Sequence, residues 1–199
     1  TSSESNDAGS YAFSGNTFTI DNNTGDANEN SATYVAWMWK ANGSGSSNTT
    51  GSINSTVSAN TDAGFSIVKW TGDTGIDTIG HGLSKAPELL LIKNTDSGTS
   101  NWIFWSKDLG TNKNLFLNST NGEDTDAPYF FGDNSNMTVP TSTVFTIGNN
   151  SQINESGSDI IAYCFHSVDG YSKVGSYLSN NSTDGPFVYL GFQPKFVLC

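Results

Sequence analysis

Apolar residues in this chain come in short runs, mostly alternating with polar ones, and no stretch shows a 3.6-residue helical period. Alternation within residues 11–20, on either side of Ser14-Gly15-Asn16, predicts a hairpin. Residues 33–40 read TYVAWMWK, with Tyr34, Ala36 and Met38 on one face and Val35, Trp37 and Trp39 on the other. Both faces are apolar, which predicts a strand in the middle of a sandwich or at an interface. A weak strand is expected at 53–57. Stronger ones are expected at 65–70, 88–93, 102–106, 115–117, 129–131, 144–147 and 159–168, separated by turn signals such as Gly72-Asp73, Asn121-Gly122 and Gly132-Asp133. Pro87 and Pro194 each open a predicted strand, where a missing N–H is harmless. Strands at this density predict an all-β antiparallel sandwich or jelly roll.

The same pattern repeats. Residues 64–93, GFSIVKWTGDTGIDTIGHGLSKAPELLLIK, return in altered form as residues 170–199, GYSKVGSYLSNNSTDGPFVYLGFQPKFVLC. Val68 matches Val174, Gly82-Leu83 matches Gly191-Phe192, and Pro87 matches Pro194. Likewise TFTIDNN (17–23), Asn28-Glu29 and TYVAWMWK (33–40) match VFTIGNN (144–150), Asn154-Glu155 and DIIAYCFH (159–166). Self-similarity of this kind dictates how a chain can fold. It divides this one into a polar arm (1–10), the C-terminal part of a preceding repeat (11–41), a Gly/Ser-rich linker (42–63), a complete sandwich repeat (64–169) and the N-terminal part of a following repeat (170–199). The two partial repeats lack the middle of a unit. Each would leave strand edges and an apolar face uncovered, so the terminal strands are open to exchange between subunits.

Composition narrows the function. A formal charge of −11 with only eight Lys and Arg argues against nucleic-acid binding, which needs a basic stripe. No apolar run is long enough for a transmembrane helix. The two cysteines, Cys164 and Cys199, align with Met38 and Ile92, so both are expected as free thiols in apolar strand positions rather than as a disulfide.

The segments GFSIVKW, IGHGLSKAPELLLIKN, NWIFWSKDLG, TSTVFTIG, DIIAYCFHSVDGYSKVGSY and DGPFVYLGFQPKFVLC carry a further likeness. Together they resemble a tandem β-sandwich repeat module of predicted virion and tail-fibre proteins of aquatic bacteriophages and of related bacterial surface proteins. The resemblance implies a concanavalin-like fold, an extracellular structural or adhesive role, and no catalytic residues.

The candidate chemistry is correspondingly thin. His81, between two glycines, and His166, expected at a solvent-facing strand end, have no nucleophile or acid at a recognisable spacing. No enzymatic activity is expected. Glu123, Asp124 and Asp126 form an acidic loop in which calcium is conceivable, but the spacing is not that of a known calcium loop, and a solvated turn is the plainer reading. No cofactor is otherwise expected. The residues singled out are structural: Trp37 and Trp39, expected to be buried in a sheet or subunit contact, Gly82 and Gly191, expected at turns needing positive φ or close backbone approach, and Pro87 and Pro194. The expected function is an extracellular module that assembles head-to-tail with copies of itself into a fibre, as in a phage appendage or cell-surface filament. The alternative is a carbohydrate- or receptor-binding adhesin domain.

Overall fold

The computed structural model describes residues 11–15, 17–20 and 30–199. The chain divides into two compact units, Ser2–Trp39 and Lys40–Cys199. The first contains the expected hairpin, β1 (Tyr11–Ser14) and β2 (Thr17–Ile20), paired antiparallel from Tyr11↔Ile20 to Ser14↔Thr17. Gly15 takes the positive φ of the turn, and the Thr17 hydroxyl donates to the Ser14 carbonyl at 2.8 Å.

The second unit is built on a seven-stranded antiparallel sheet. Its strands are β3 (Ser46–Asn48), β4 (Ser55–Asn60), β5 (Phe65–Thr71), β7 (Leu89–Asn94), β8 (Ile103–Ser106), β9 (Leu115–Phe116) and β11 (Asp159–Phe165). They lie in the order β3-β4-β5-β11-β7-β8-β9, so β11 sits between β5 and β7. The remaining strands, β6 (Asp77–Gly80) and β10 (Val144–Ile147), pair with each other, and Ile79 of β6 also bridges to Gly51 and Ile53. With the short helices α1 (Ala127–Phe131) and α2 (Ser151–Asn154), they supply the side chains that complete the core. The fold is an all-β antiparallel sandwich.

Period-two alternation explains the packing. One face of the large sheet contributes Val57, Val68, Trp70, Leu90, Ile92, Ile103, Trp105, Ile160, Ala162 and Cys164, all buried. Ile79, Phe145, Ile147, Phe130, Phe131 and Ile153 join them in one cluster. Trp70 meets Phe145 edge-on at 5.8 Å and Phe116 meets Phe130 edge-on at 6.0 Å, the geometry aromatic quadrupoles favour. The opposite face carries a half-buried row, Ile67, Tyr163, Leu91 and Phe104, on directly paired strands.

Four expectations need correction. Residues 42–63 are not a linker, because they supply β3 and β4 at one edge of the sheet. Polar side chains hid β3 and blurred β4, of which the weak strand expected at 53–57 covers residues 55–57. Ser58 is buried because its hydroxyl donates to the Gly43 carbonyl and accepts from the Asn42 N–H, while Ser55 donates to the Gly80 carbonyl. Val57 anchors β4 in the core cluster, with Ala59 packed against it. The sandwich therefore begins well before the repeat boundary at residue 64.

The stretch 129–131 lies in helix α1, not in a strand. A strand would send Phe130 and Phe131 to opposite faces, whereas one helical turn buries both and leaves Tyr129 47% exposed. Pro128 in the first turn suits a helix start.

Residues 33–40 enter no strand, and Trp37 and Trp39 are 64% and 45% exposed, so no sheet contact within the chain buries them. Residues 173–199 likewise form no strand, so Pro194 opens none. Their pattern matches β5 through β7, but β5 is hydrogen-bonded on both sides, to β4 and β11. An extended segment becomes a strand only where neighbouring backbone stands ready to complete a ladder of hydrogen bonds, whatever its side chains.

Candidate functional site

The connection from β6 to β7 turns on a glycine that is required for two reasons at once. Gly82 has φ +70, and a Cβ placed there would stand 2.8 Å from Val57 Cγ1 and 3.2 Å from the Ala59 Cβ. Both expected reasons for a glycine, left-handed backbone and close approach, hold at this position. Gly191 shares the positive φ, +82, but nothing crowds it beyond the Tyr189 hydroxyl at 4.0 Å. Pro87 is buried just before β7, and the next N–H, of Glu88, donates to the Phe165 carbonyl at 2.7 Å.

His81 is wholly buried beside Gly82. Its Nδ1 accepts from the Leu83 N–H at 3.1 Å, so Nε2 carries the proton and donates to the Thr141 carbonyl at 3.2 Å. The imidazole thus ties the end of β6 to the approach of β10, and no nucleophile faces it in these contacts. Burial pushes its pKa below the ordinary 6.5, the nearby His166 adds to this, and the bond to Thr141 opposes it only in part. The unfolded chain therefore takes up a proton near pH 6.5 that the folded chain refuses. Stability from this group is complete above that pH and declines as pH falls towards the folded value. Urea midpoints should drop between about pH 7.5 and 5.5 in the parent and change less in His81→Gln. Equal slopes in the two proteins would refute this role for His81.

His166 is buried, not solvent-facing as expected at a strand end. Gly64 approaches it closely, and its N–H donates to the Gly64 carbonyl at 2.9 Å. Glu88 binds the Lys107 ammonium at 2.7 Å and accepts from the Ser167 N–H at 2.8 Å and from the Ser167 hydroxyl. Burial works against its charge, but these bonds outweigh burial and hold the carboxyl below its ordinary value. The repeat has Lys195 at the matching position, so this carboxylate belongs to local packing rather than to a shared chemistry.

The acidic loop does not converge. Glu123 pairs with Lys113 at 2.5 Å, and Asp124 accepts from the Thr125 N–H at 2.6 Å. Among the described residues, no group of three or more His, Cys, Asp or Glu is placed to hold a metal ion. Cys164 is buried in the core, which pushes its thiol up to about 12, and Cys199 is exposed, so both are free. A surface cavity of about 560 Å³ is bordered by Lys40, Asn42, Asn60, Asp62 and Tyr171, with no cluster of reactive groups. No described helix is long and apolar enough to cross a membrane.

What stands out instead is apolar surface at both ends of the chain. Leu178 and Phe187 are 90% exposed. Tyr177, Tyr189, Val197 and Leu198 are exposed as well, as are Val35, Trp37, Met38 and Trp39 in the other unit. Soluble monomers rarely show so many large apolar residues in contiguous segments, and such surface commonly marks an interaction site. The sequence identified these residues as apolar but assigned them to strands. The missing signal was a neighbour for each strand, which a side-chain pattern does not reveal.

The chain belongs to the family described as Domain of unknown function (DUF7483), whose model matches residues 1–199. No curated protein and no solved structure matches it.

Proposed function

We propose that this chain is an extracellular structural module that assembles head-to-tail with copies of itself into a fibre or filament, in a phage appendage or on a cell surface. One observation carries the reading: a complete sandwich is flanked by two apolar, strandless segments that repeat the sequence of its own paired strands. Strand addition between unlike ends is heterologous, so it propagates into an open polymer unless the rotation closes a ring. The likeness to virion and surface modules, with the low content of charged residues, supports a place outside the cell. No catalytic role is assigned.

The test compares the full chain with one lacking residues 1–39, by sedimentation velocity and negative stain. The full chain should grow in mass with concentration and form filaments, while the shortened chain stays monomeric. A full chain that remains monomeric at high concentration, or a shortened one that still polymerises, would contradict the proposal.

The exposure of Trp37 and Trp39 favours a second reading, a carbohydrate-binding adhesin, since indole faces stack on sugars. Binding to one sugar class on a glycan array, abolished by Trp37→Ala with assembly unchanged, would favour it.

A further inference from the structure

The pairings of the complete sandwich, read through the internal repeat, name which strands the two ends would form together. β11 is the strand inserted between β5 and β7, and β6 pairs with β10. Residues 33–40 repeat β11, residues 17–20 repeat β10, and residues 171–199 repeat β5, β6 and β7 in order. One end therefore carries the strand that belongs between two strands carried by the other. The core positions of these five strands keep their character. Ile160, Ala162 and Cys164 become Tyr34, Ala36 and Met38, and Phe145 and Ile147 become Phe18 and Ile20. Val68, Ile79, Leu90 and Ile92 become Val174, Val188, Val197 and Cys199, and only Trp70 meets a polar counterpart, Ser176.

We propose that the C-terminal segment of one copy and the N-terminal segment of a second copy fold together into a composite of these five strands, with residues 33–40 inserted between 171–177 and 195–199. This rests on the head-to-tail reading and specifies its joint. The register follows from the complete unit. Phe165 opposes Phe65 and Leu89 there, and Ala162 opposes Val68 and Ile92. In the composite, Trp39 accordingly lies opposite Tyr171 and Phe196, and Ala36 opposite Val174 and Cys199. The edge of β2 not used by β1 takes the strand around Val188, as β10 takes β6.

A second copy is the partner because its order is the native one. In the complete unit β5, β6 and β7 precede β10 and β11, and the C-terminal segment of one copy followed by the N-terminal segment of the next restores that succession. Within one chain the order is reversed, and residues 173–199 enter no strand. Lys40 and Tyr171 border the same cavity, so pairing inside a chain is the competitor that the experiment must separate.

Directly opposed residues on neighbouring strands lie about 4.5–5.5 Å apart at Cα, within reach of a disulfide. Cys199 is exposed and Cys164 is buried, so Ala36→Cys, at an exposed position, places one new thiol opposite one available thiol. Full-length protein is sized by light scattering under reducing conditions, then oxidised gently, run on a non-reducing gel and mapped by mass spectrometry. The expected result is a ladder extending beyond dimers, joined through positions 36 and 199. It should be at least about tenfold stronger than in Met38→Cys, because held strands raise the effective concentration of only the matched pair. Equal cross-linking of Met38→Cys overturns the register. A 36–199 link within single chains overturns the second copy as partner. Polymers in light scattering without any 36–199 link sink this joint but leave head-to-tail assembly standing. Monomers without the link sink both.

Discussion

Trp70→Ala should lower the stability of the sandwich by about 3–5 kcal/mol, the largest loss expected from any single tryptophan. Trp70 is 2% exposed on β5, near the centre of the sheet, and its ring meets Phe145 of the facing pair edge-on. Truncation removes apolar burial from both layers at once, and the two sheets cannot close over a hole of indole size without unpacking each other. Its indole N–H is buried without a partner, so the parent already bears a desolvation cost, and the net loss should fall towards the lower end of the range. The contrast is with Trp37→Ala and Trp39→Ala, which should leave the melting of the Lys40–Cys199 unit within about 0.5 kcal/mol of the parent. Chemical denaturation followed by Trp fluorescence checks all three. A Trp37→Ala loss as large as that of Trp70→Ala would show that the exposed segment is part of the folded core.

Gly82→Val should cost about 2–5 kcal/mol, the sum of two separate penalties. A β-branched residue at φ +70 bears the left-handed penalty of about 1–2 kcal/mol. Its Cβ would also stand 2.8 Å from Val57 Cγ1, and crowding of this kind adds about 1–3 kcal/mol. Val57 is the side chain that anchors β4, so relief by moving it would loosen the edge of the sheet. Gly191→Val is the matched control. It meets only the backbone penalty, in a segment that enters no strand, and should leave the sandwich transition unchanged while weakening assembly through the composite joint. Calorimetry on both variants decides the matter. A Gly82→Val protein melting with the parent would mean that the turn adapts freely.

The two glycines show how far the sequence reaches. Their recurrence before a proline was enough to expect positive φ at both, and both have it. Nothing in the sequence separates them energetically, because crowding at Gly82 comes from Val57 and Ala59 of β4, and no side-chain pattern reveals that β4 packs against this turn. Legibility followed the same line elsewhere. Strands β5, β7, β8, β10 and β11 were readable because each buries one face against a core, and burial of that kind writes a period of two into the side chains. Strand β4 was readable only as a weak strand at 53–57, since Ser55 and Ser58 are buried by satisfying hydroxyls with backbone carbonyls, a bond that leaves no hydrophobic trace. Helix α1 was not, since three adjacent apolar residues suit a strand and a helical turn equally until the core demands Phe130 and Phe131 on one side.

By itself, then, the sequence determined the fold class, the glycine turns and the match of each partial repeat to the complete unit. All of these depend on local chemistry and on like residues recurring at like intervals. Only the tertiary structure decided which copies of a repeated strand become strands. Residues 159–165 form β11 because β5 and β7 stand on either side to take their backbone hydrogen bonds, while the nearly matching residues 33–40 form none. A strand is a relation between neighbours, and side-chain pattern specifies only one party to it.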